Sequence, residues 1–186
     1  MKIIENSMKE MLQIFEQAEQ LYTLAEIDQV LEQLAKKLTQ QYADDNPVIL
    51  CVMNGSVMTT GHLLPKLAFP LELDYIHATR YGEKTVGGDL VWQSEPMIDL
   101  ANRTVILIED IYDQGVTLMA LRAFCEKAGA KTVVCLALVE KLHDNKVGQI
   151  PEFIGMTVPD RYVFGFGMDY QGYWRNAPGI YAVAGS

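Results

Sequence analysis

Three short apolar runs limit what this chain can fold into: VILCVM at 48–53, TVILI at 104–108 and TVVCLALV at 132–139. A continuous apolar run is typical of a strand that is buried on both faces, as in a parallel sheet covered by helices. An amphipathic pattern from about 117 to 128, closed by Gly129, predicts a helix between the second and third runs. Strand, helix and strand in this order form a right-handed βαβ unit. We therefore predict an α/β fold with a mainly parallel, twisted sheet flanked by helices.

The flanking segments predict packing elements rather than a second domain. Apolar and polar residues alternate at 71–77, which favours a half-buried strand, and shorter apolar runs lie in the C-terminal tail. Because there is no internal repeat and no low-complexity linker, 1–186 is predicted to be one domain with its core at approximately 45–140. Two N-terminal helices are expected from apolar residues at helical spacing: Met8, Leu12, Phe15 and Leu21 in the first, and Ala25, Ile27, Val30, Leu31, Leu34 and Leu38 in the second.

Charge and cysteine content narrow the functional class. The formal net charge is −9 over 186 residues, which argues against nucleic-acid binding because that needs clustered Lys and Arg. The three cysteines, Cys51, Cys125 and Cys135, are widely spaced in apolar surroundings and predict buried free thiols. No run reaches the roughly 18 apolar residues of a membrane span, and the first residues lack a signal-peptide pattern. We expect a cytoplasmic protein with no membrane or nucleic-acid partner.

The polar residues after the second apolar run point to a ligand site. Glu109 and Asp110 come directly after it, at the strand end where open parallel sheets bind ligands. Two ionised carboxylates accept hydrogen bonds from a vicinal diol. Gly115 permits close approach, and the N–H groups of the following helix start, with the Thr117 hydroxyl, suit a phosphate. Asp113, between the acids and the glycine, is placed to face a reacting base.

The same segment resembles a known signature. At 105–117, four apolar residues, two acids, two apolar residues, Asp, x, Gly, x and Thr are similar to the phosphoribosyl pyrophosphate signature of type I phosphoribosyltransferases. Further segments, in family order, resemble the hypoxanthine-guanine branch of that family. They are VMNGSVMTTGHLLPKL at 52–67, HATRYGEKTVGGDL at 77–90, LVEKLH at 138–143 and PDRYVFGFGMDYQGYWRN at 159–176. The resemblance implies the type I phosphoribosyltransferase fold, with a small hood built from the N-terminal and C-terminal segments.

The resemblance also implies roles for the residues of the signature. Glu109 and Asp110 would contact the ribose, and Asp113 would face N7 of a purine as general acid or base. Mg2+ is the implied cofactor, with Asp169, Glu109 and Asp110 as its implied ligands. The 5-phosphate would be cradled by Asp113, Gln114, Gly115, Val116 and Thr117.

The other segments supply the remaining implied contacts. Asn54 and Gly55, in a loop that usually contains a non-proline cis peptide, would contact pyrophosphate together with Arg175. Arg80 and Tyr81 would belong to a mobile lid. The implied purine contacts are Lys141, which would donate to O6 of the base, Tyr162, which would stack on the ring, and Val163, whose backbone would read the ring edge.

The implied activity is a step of purine salvage. It is the Mg-dependent transfer of the 5-phosphoribosyl group from phosphoribosyl pyrophosphate to hypoxanthine and/or guanine, giving IMP or GMP and pyrophosphate. The implied assembly is a homodimer or a homotetramer. Three positions depart from the family pattern: Asn54 replaces a common Lys or Arg, Gln114 replaces a small hydroxyl residue, and Arg80 precedes Tyr81 where a Ser is common.

Plainer interpretations exist for most of these residues. Asp169 is also suited to capping a turn, Arg175 to a structural ion pair, and Lys141 to the surface. His62, His77 and His143 lack metal-ligand spacing and are expected to be structural or exposed. Two other functions stay open: a related enzyme that prefers xanthine, and a non-enzymatic regulator that senses phosphoribosyl pyrophosphate. The charge of −9 argues against the regulator, which would be expected to bind nucleic acid.

Overall fold

The computed structural model describes residues 2–80 and 90–186, which contain four α-helices and nine strands. The helices are α1 (Lys2–Gln17), α2 (Leu24–Tyr42), α3 (Val57–Leu63) and α4 (Val116–Lys127). The strands are β1 (Glu19–Thr23), β2 (Val48–Val52), β3 (Glu72–Arg80), β4 (Leu90–Ser94), β5 (Thr104–Tyr112), β6 (Thr132–Leu142), β7 (Phe153–Pro159), β8 (Val163–Phe164) and β9 (Gly179–Ala182). Of the two residues expected in a lid, Arg80 ends β3 and Tyr81 lies outside the described residues.

Six strands form the main sheet, in the order β4-β3-β2-β5-β6-β7. All neighbours pair in parallel except β3 and β4, which form an antiparallel edge. The three apolar runs became β2, β5 and β6, at the centre of the sheet, and every residue of β2 is buried. The predicted mainly parallel α/β fold is confirmed, and its physical cause is the two-sided burial of these strands.

A small antiparallel sheet, β1-β9-β8, joins the two ends of the chain as a hood. The prediction that the first helix extends to Leu21 was wrong, because α1 ends at Gln17 and Leu21 lies in β1. Thr23 explains the break in the helical pattern. It caps α2 in a capping box with Glu26, so the residues before it are free to pair with β9.

The core has one layer of apolar side chains on each face of the main sheet. On one face α2 contributes Ile27, Leu31, Leu34 and Leu38, and on the other α4 contributes Leu118, Leu121 and Cys125. All three cysteines are buried and free, as predicted, and burial raises the pKa of Cys125 and of Cys135 to about 12. Within the described part of the chain, no helix combines the length and the apolarity needed to cross a membrane.

Gly155, in β7, packs against α2 with no room for a side chain. A Cβ added to Gly155 would lie 2.6 Å from the carbonyl oxygen of Leu138 and 2.9 Å from Cγ1 of Val30. Gly155→Ala should therefore lower the free energy of unfolding by about 1–3 kcal/mol, measured by urea denaturation. Gly61→Ala in α3 is the matched control. A Cβ there meets nothing within 4 Å, so helix propensity predicts a gain of about 0.5–1 kcal/mol. A Gly155→Ala protein as stable as the wild type would contradict the described packing.

Candidate active site

The register of β5 and β6 brings the ends of two strands together. Tyr112 pairs with Glu140 at the end of this parallel ladder, so the next residues, Asp113 and Lys141, emerge side by side. Lys141 Nζ lies 3.2 Å from Asp113 Oδ2 in a salt bridge. Two residues that the sequence assigned to the purine thus meet at the carboxyl edge of the sheet, where ligands bind in folds of this type.

His143 completes the surroundings of Asp113, and sequence reasoning missed it. Its Nε2 lies 2.6 Å from Asp113 Oδ1. Burial raises the pKa of Asp113, but the hydrogen bond with His143 and the charge of Lys141 together outweigh burial and hold the pKa below its ordinary value. Asp113 is therefore a carboxylate at neutral pH. The contact joins positions 30 residues apart, and no local spacing could have indicated it.

Glu109 and Asp110, at the end of β5, have the opposite environment. Burial raises the pKa of Asp110 to about 6, although the backbone N–H of Ile111 donates to its Oδ1 at 2.8 Å. The pKa of Glu109 is raised well above its ordinary value by burial, with a further contribution from the charge of Asp110. Glu109 Oε2 is buried and has no hydrogen-bond partner among the described residues. The pair is short of donors, which suits it to accept them from a ligand.

Two glycines, Gly55 and Gly167, let the loop that follows β2, here called the first loop, pack close to these acids. A Cβ on Gly55 would overlap the carboxylate of Asp110, and a Cβ on Gly167 would overlap the carbonyl oxygen of Gly55. Gly167 also has φ 105°, which side chains disfavour. The loop after β2 therefore packs directly against the Asp110 carboxylate on one side and against the backbone at Gly167 on the other. The peptide bond between Met53 and Asn54 is cis, as the resemblance implied, and Asn54 is exposed.

Four of the five residues predicted to hold a phosphate line a cleft of about 290 Å³ at the start of α4. The fifth, Val116, is the first residue of α4 and is not part of this lining. Gly115 is the N-cap of α4 with φ 85°, and a Cβ on it would lie 2.6 Å from both the Tyr112 ring and the carbonyl oxygen of Val147. The free N–H groups at this helix start suit an anion. The cleft is lined by Glu109, Ile111, Tyr112, Asp113, Gln114, Gly115, Thr117 and Leu118.

Lys146, which sequence reasoning also missed, ties this cleft to the end of β6. Its Nζ donates to the carbonyl oxygens of Lys141 at 2.7 Å, Asp113 at 3.3 Å and Tyr112 at 3.4 Å. It also lies 4.2 Å from the centre of the Tyr112 ring. A single cation thus satisfies three carbonyls around the turn that carries Asp113.

A second cleft, of about 230 Å³, adjoins the first and shares Asp113 with it. Tyr162 is 46 % exposed there, and its hydroxyl donates to the carbonyl oxygen of Asp169 at 3.3 Å. An exposed aromatic face beside a lysine suits a planar base. The lining residues are Asp110, Ile111, Asp113, Lys141, Tyr162, Val163, Met168 and Asp169. The three residues predicted to contact the purine, Lys141, Tyr162 and Val163, therefore line one cleft.

Asp169 and Arg175 pair with each other. Arg175 Nη2 lies 2.5 Å from Asp169 Oδ1, and Arg175 Nη1 donates to the carbonyl oxygen of Gly167 at 2.6 Å. Asp169 Oδ2 accepts the backbone N–H of Gly172 at 2.7 Å. The plainer roles of turn cap and ion pair are therefore present, and the metal and pyrophosphate roles stay predictions.

The carboxylates of the site fit a hard cation only in part. Across residues 2–80 and 90–186, no three His, Cys, Asp or Glu side chains cluster so as to hold a metal ion. The unpartnered oxygen of Glu109, beside Asp110, is nevertheless the type of donor that Mg2+ prefers. Because Mg2+ is commonly held by one or two carboxylates plus substrate phosphates, Glu109 and Asp110 fit a cation that arrives with a phosphorylated ligand.

Comparisons with known proteins agree with this geometry. The phosphoribosyl transferase domain model matches residues 17–171. The hypoxanthine-guanine-xanthine phosphoribosyltransferase of Tritrichomonas foetus is 32% identical over 161 residues, covering 86% of this chain and 88% of the relative. The hypoxanthine-guanine phosphoribosyltransferase of Bacillus subtilis is 31% identical over 156 residues, covering 83% and 87%.

Solved structures give the same result. A hypoxanthine-guanine-xanthine phosphoribosyltransferase superposes with a TM-score of 0.81 at 30% identity, covering 89% of this chain and 96% of the other. A hypoxanthine phosphoribosyltransferase from Staphylococcus aureus superposes with a TM-score of 0.85 at 25% identity, covering 89% and 90%. The chain therefore belongs to the phosphoribosyl transferase family, in the hypoxanthine-guanine branch of its type I members.

Proposed function

We propose that this chain, as one phosphoribosyltransferase domain, transfers the 5-phosphoribosyl group from phosphoribosyl pyrophosphate to N9 of hypoxanthine or guanine. The products are IMP or GMP and pyrophosphate, which makes the reaction a purine-salvage step. The observation that carries the proposal is the pair of adjoining clefts that share Asp113, one at a helix start and one beside Lys141 and Tyr162. Membership of the hypoxanthine-guanine branch supports the same activity.

The sugar would lie along the end of β5. Its two hydroxyls would donate to Glu109, whose Oε2 has no partner among the described residues, and to Asp110, which accepts from the backbone N–H of Ile111. Its 5-phosphate would accept from the backbone N–H groups of residues 113–117 and from the Thr117 hydroxyl at the start of α4. This arrangement would point C1 of the ribose toward the second cleft.

The base would occupy that second cleft. Tyr162 would stack on the purine, the Val163 backbone would read its edge, and Lys141 would donate to O6. Asp113, held as a carboxylate, would accept the N7 proton while N9 forms its bond to C1. The C1–oxygen bond to pyrophosphate breaks with its electron pair on the leaving group, so charge is conserved in the step.

The leaving group needs positive charge near it. Glu109 and Asp110 would hold Mg2+ together with substrate oxygens, and Asp169 is a further candidate ligand. When bound, the ion would neutralise negative charge on the pyrophosphate. Asn54, Gly55 and Arg175 would contact the pyrophosphate, and Arg175 already acts on Asp110 by lowering the pKa of that carboxyl against burial. The lid role of Arg80 and Tyr81, the cytoplasmic location and the homodimer or homotetramer stay predictions.

The proposal is tested by incubating purified protein with Mg2+, phosphoribosyl pyrophosphate and one purine at a time. We expect IMP from hypoxanthine and GMP from guanine, separated by chromatography, and the xanthine reaction decides the alternative base preference. Asp113→Asn should lower kcat about 10²–10⁴-fold with a much smaller change in KM, because general-base catalysis is lost. Asp144→Asn, at an exposed neighbouring position, is the control. Formation of no nucleotide from any purine would overturn the proposal.

The raised pKa of Asp110 predicts that this functional carboxylate destabilises the ligand-free fold. Its folded pKa of about 6 lies above the ordinary value, so its contribution to stability is present at low pH and is lost as pH rises through 6. Asp110→Asn should raise the free energy of unfolding at pH 8 by on the order of 2 kcal/mol, and by less at pH 5. The measurement is urea unfolding in EDTA at both pH values.

The same variant can also be tested for ligand binding, with Asp144→Asn as the control. Asp110→Asn should weaken binding of phosphoribosyl pyrophosphate, because a neutral amide is a poorer acceptor for the ribose diol than a carboxylate. Asp144→Asn is exposed and should change neither property. A pH-independent destabilisation by Asp110→Asn would contradict the account.

A further inference from the structure

His143 lies near the two clefts, contacts the Asp113 carboxylate and has no role in the proposed reaction. It follows β6 directly, and its side chain is 9 % exposed although its neighbours Leu142 and Asp144 are exposed. Its only side-chain partner described in the structure is Asp113, at 2.6 Å from His143 Nε2 to Asp113 Oδ1. A buried imidazole aimed at a reacting carboxylate calls for a specific function rather than surface solvation.

The backbone fixes which nitrogen of this ring carries the proton. The N–H of Asn145 donates to His143 Nδ1 at 3.1 Å. An N–H group can donate only to an unprotonated ring nitrogen, so Nδ1 carries the lone pair and the proton of the neutral ring is on Nε2. His143 is therefore a donor toward Asp113, held in one tautomer by its own loop.

His143 also differs from Lys141 in what it can do when substrate is bound. Both donate to Asp113 in the ligand-free site, His143 to Oδ1 and Lys141 to Oδ2. Lys141 would share its donors with O6 of the purine, whereas the second nitrogen of His143 is already occupied by Asn145. His143 is thus the partner that keeps contact with Asp113 through the reaction.

We propose that His143 is a positioning residue, which donates from Nε2 to Asp113 Oδ1 and orients that carboxylate toward N7 of the bound purine. His143 touches neither substrate in this role, and it keeps its own proton while Asp113 accepts the proton of the base. The titratable groups that contact the Asp113 carboxylate are His143 and Lys141, and Lys146 reaches the Asp113 carbonyl oxygen; all three are donors to Asp113. The proposal rests on the proposed function, in which Asp113 is the proton acceptor.

The test compares His143→Leu, which cannot donate, with His143→Gln, whose amide nitrogen can. His143→Leu should lower kcat about tenfold to hundredfold, the range expected for one lost charge-assisted hydrogen bond. KM for phosphoribosyl pyrophosphate should stay unchanged, and the acidic limb of the kcat–pH profile should move to higher pH because Asp113 loses a donor. His143→Gln should recover most of the activity, and Asp144→Asn should behave as wild type.

A double-mutant cycle separates positioning from a structural role. Because His143 acts through Asp113, adding His143→Leu to Asp113→Asn should lower kcat no further. An equal loss in both backgrounds, or a wild-type pH profile in His143→Leu, would overturn the proposal. Should wild-type protein form no nucleotide at all, the proposed function fails and not this inference alone.

The tautomer can be read on the wild-type protein. A long-range 15N–1H spectrum should show that His143 has a protonated Nε2 and an unprotonated Nδ1. The signal is assigned by its absence in His143→Gln, since the chain has three histidines. A proton on Nδ1 of His143 would contradict the hydrogen bond from Asn145 and overturn the proposal.

Discussion

The parallel ladder of β2, β5 and β6 is the constraint on which the rest of the molecule depends. Cys51 pairs with Ile108, and Ile108 pairs with Leu136, so the three buried strands run in step to the same edge of the sheet. Each strand then ends in a polar segment: the first loop after β2, the acids of β5 and Lys141 at the end of β6. The apolar residues that stabilise the fold thereby place three groups of polar residues within reach of one ligand.

Carboxylates that are neighbours in sequence acquire different chemistry from what surrounds them. Glu109 and Asp110 are enclosed with few donors, and burial raises the pKa of both. Three residues later, Asp113 receives hydrogen bonds from Lys141 and His143, which hold its pKa low. The donors Lys141 and His143 thus keep Asp113 ionised, whereas Glu109 and Asp110 have few donors and raised pKa values. Such a difference between neighbouring acids is expected where one site needs them in two roles.

Much of this arrangement could be predicted from sequence, for identifiable physical reasons. The apolar runs at 48–53, 104–108 and 132–139 indicate two-sided burial, and strand ends in a parallel sheet converge. Glu109, Asp110 and Asp113 could be identified because they lie within five consecutive residues at the end of one strand. The phosphate, purine and pyrophosphate roles themselves stay predictions.

What sequence could not predict depends on contacts between distant parts of the chain. Leu21 was placed in a helix because apolar spacing cannot register that β9, at the other end of the chain, offers a pairing edge. Lys146 lies outside the family-like segments, and the segment LVEKLH at 138–143 implies no role for His143. Both residues matter because they meet the turn at Asp113, some 30 positions away in sequence.

The central claim is that one sheet edge holds an activated sugar beside a purine, with Asp113 facing N7 of the base. A crystal structure with Mg2+, phosphoribosyl pyrophosphate and a purine carrying carbon in place of N9, which cannot react, tests it most directly. The account predicts the ribose hydroxyls at Glu109 and Asp110, the phosphate at the start of α4 and the base against Tyr162. A sugar bound away from this edge, or a base with N7 turned from Asp113, would contradict it.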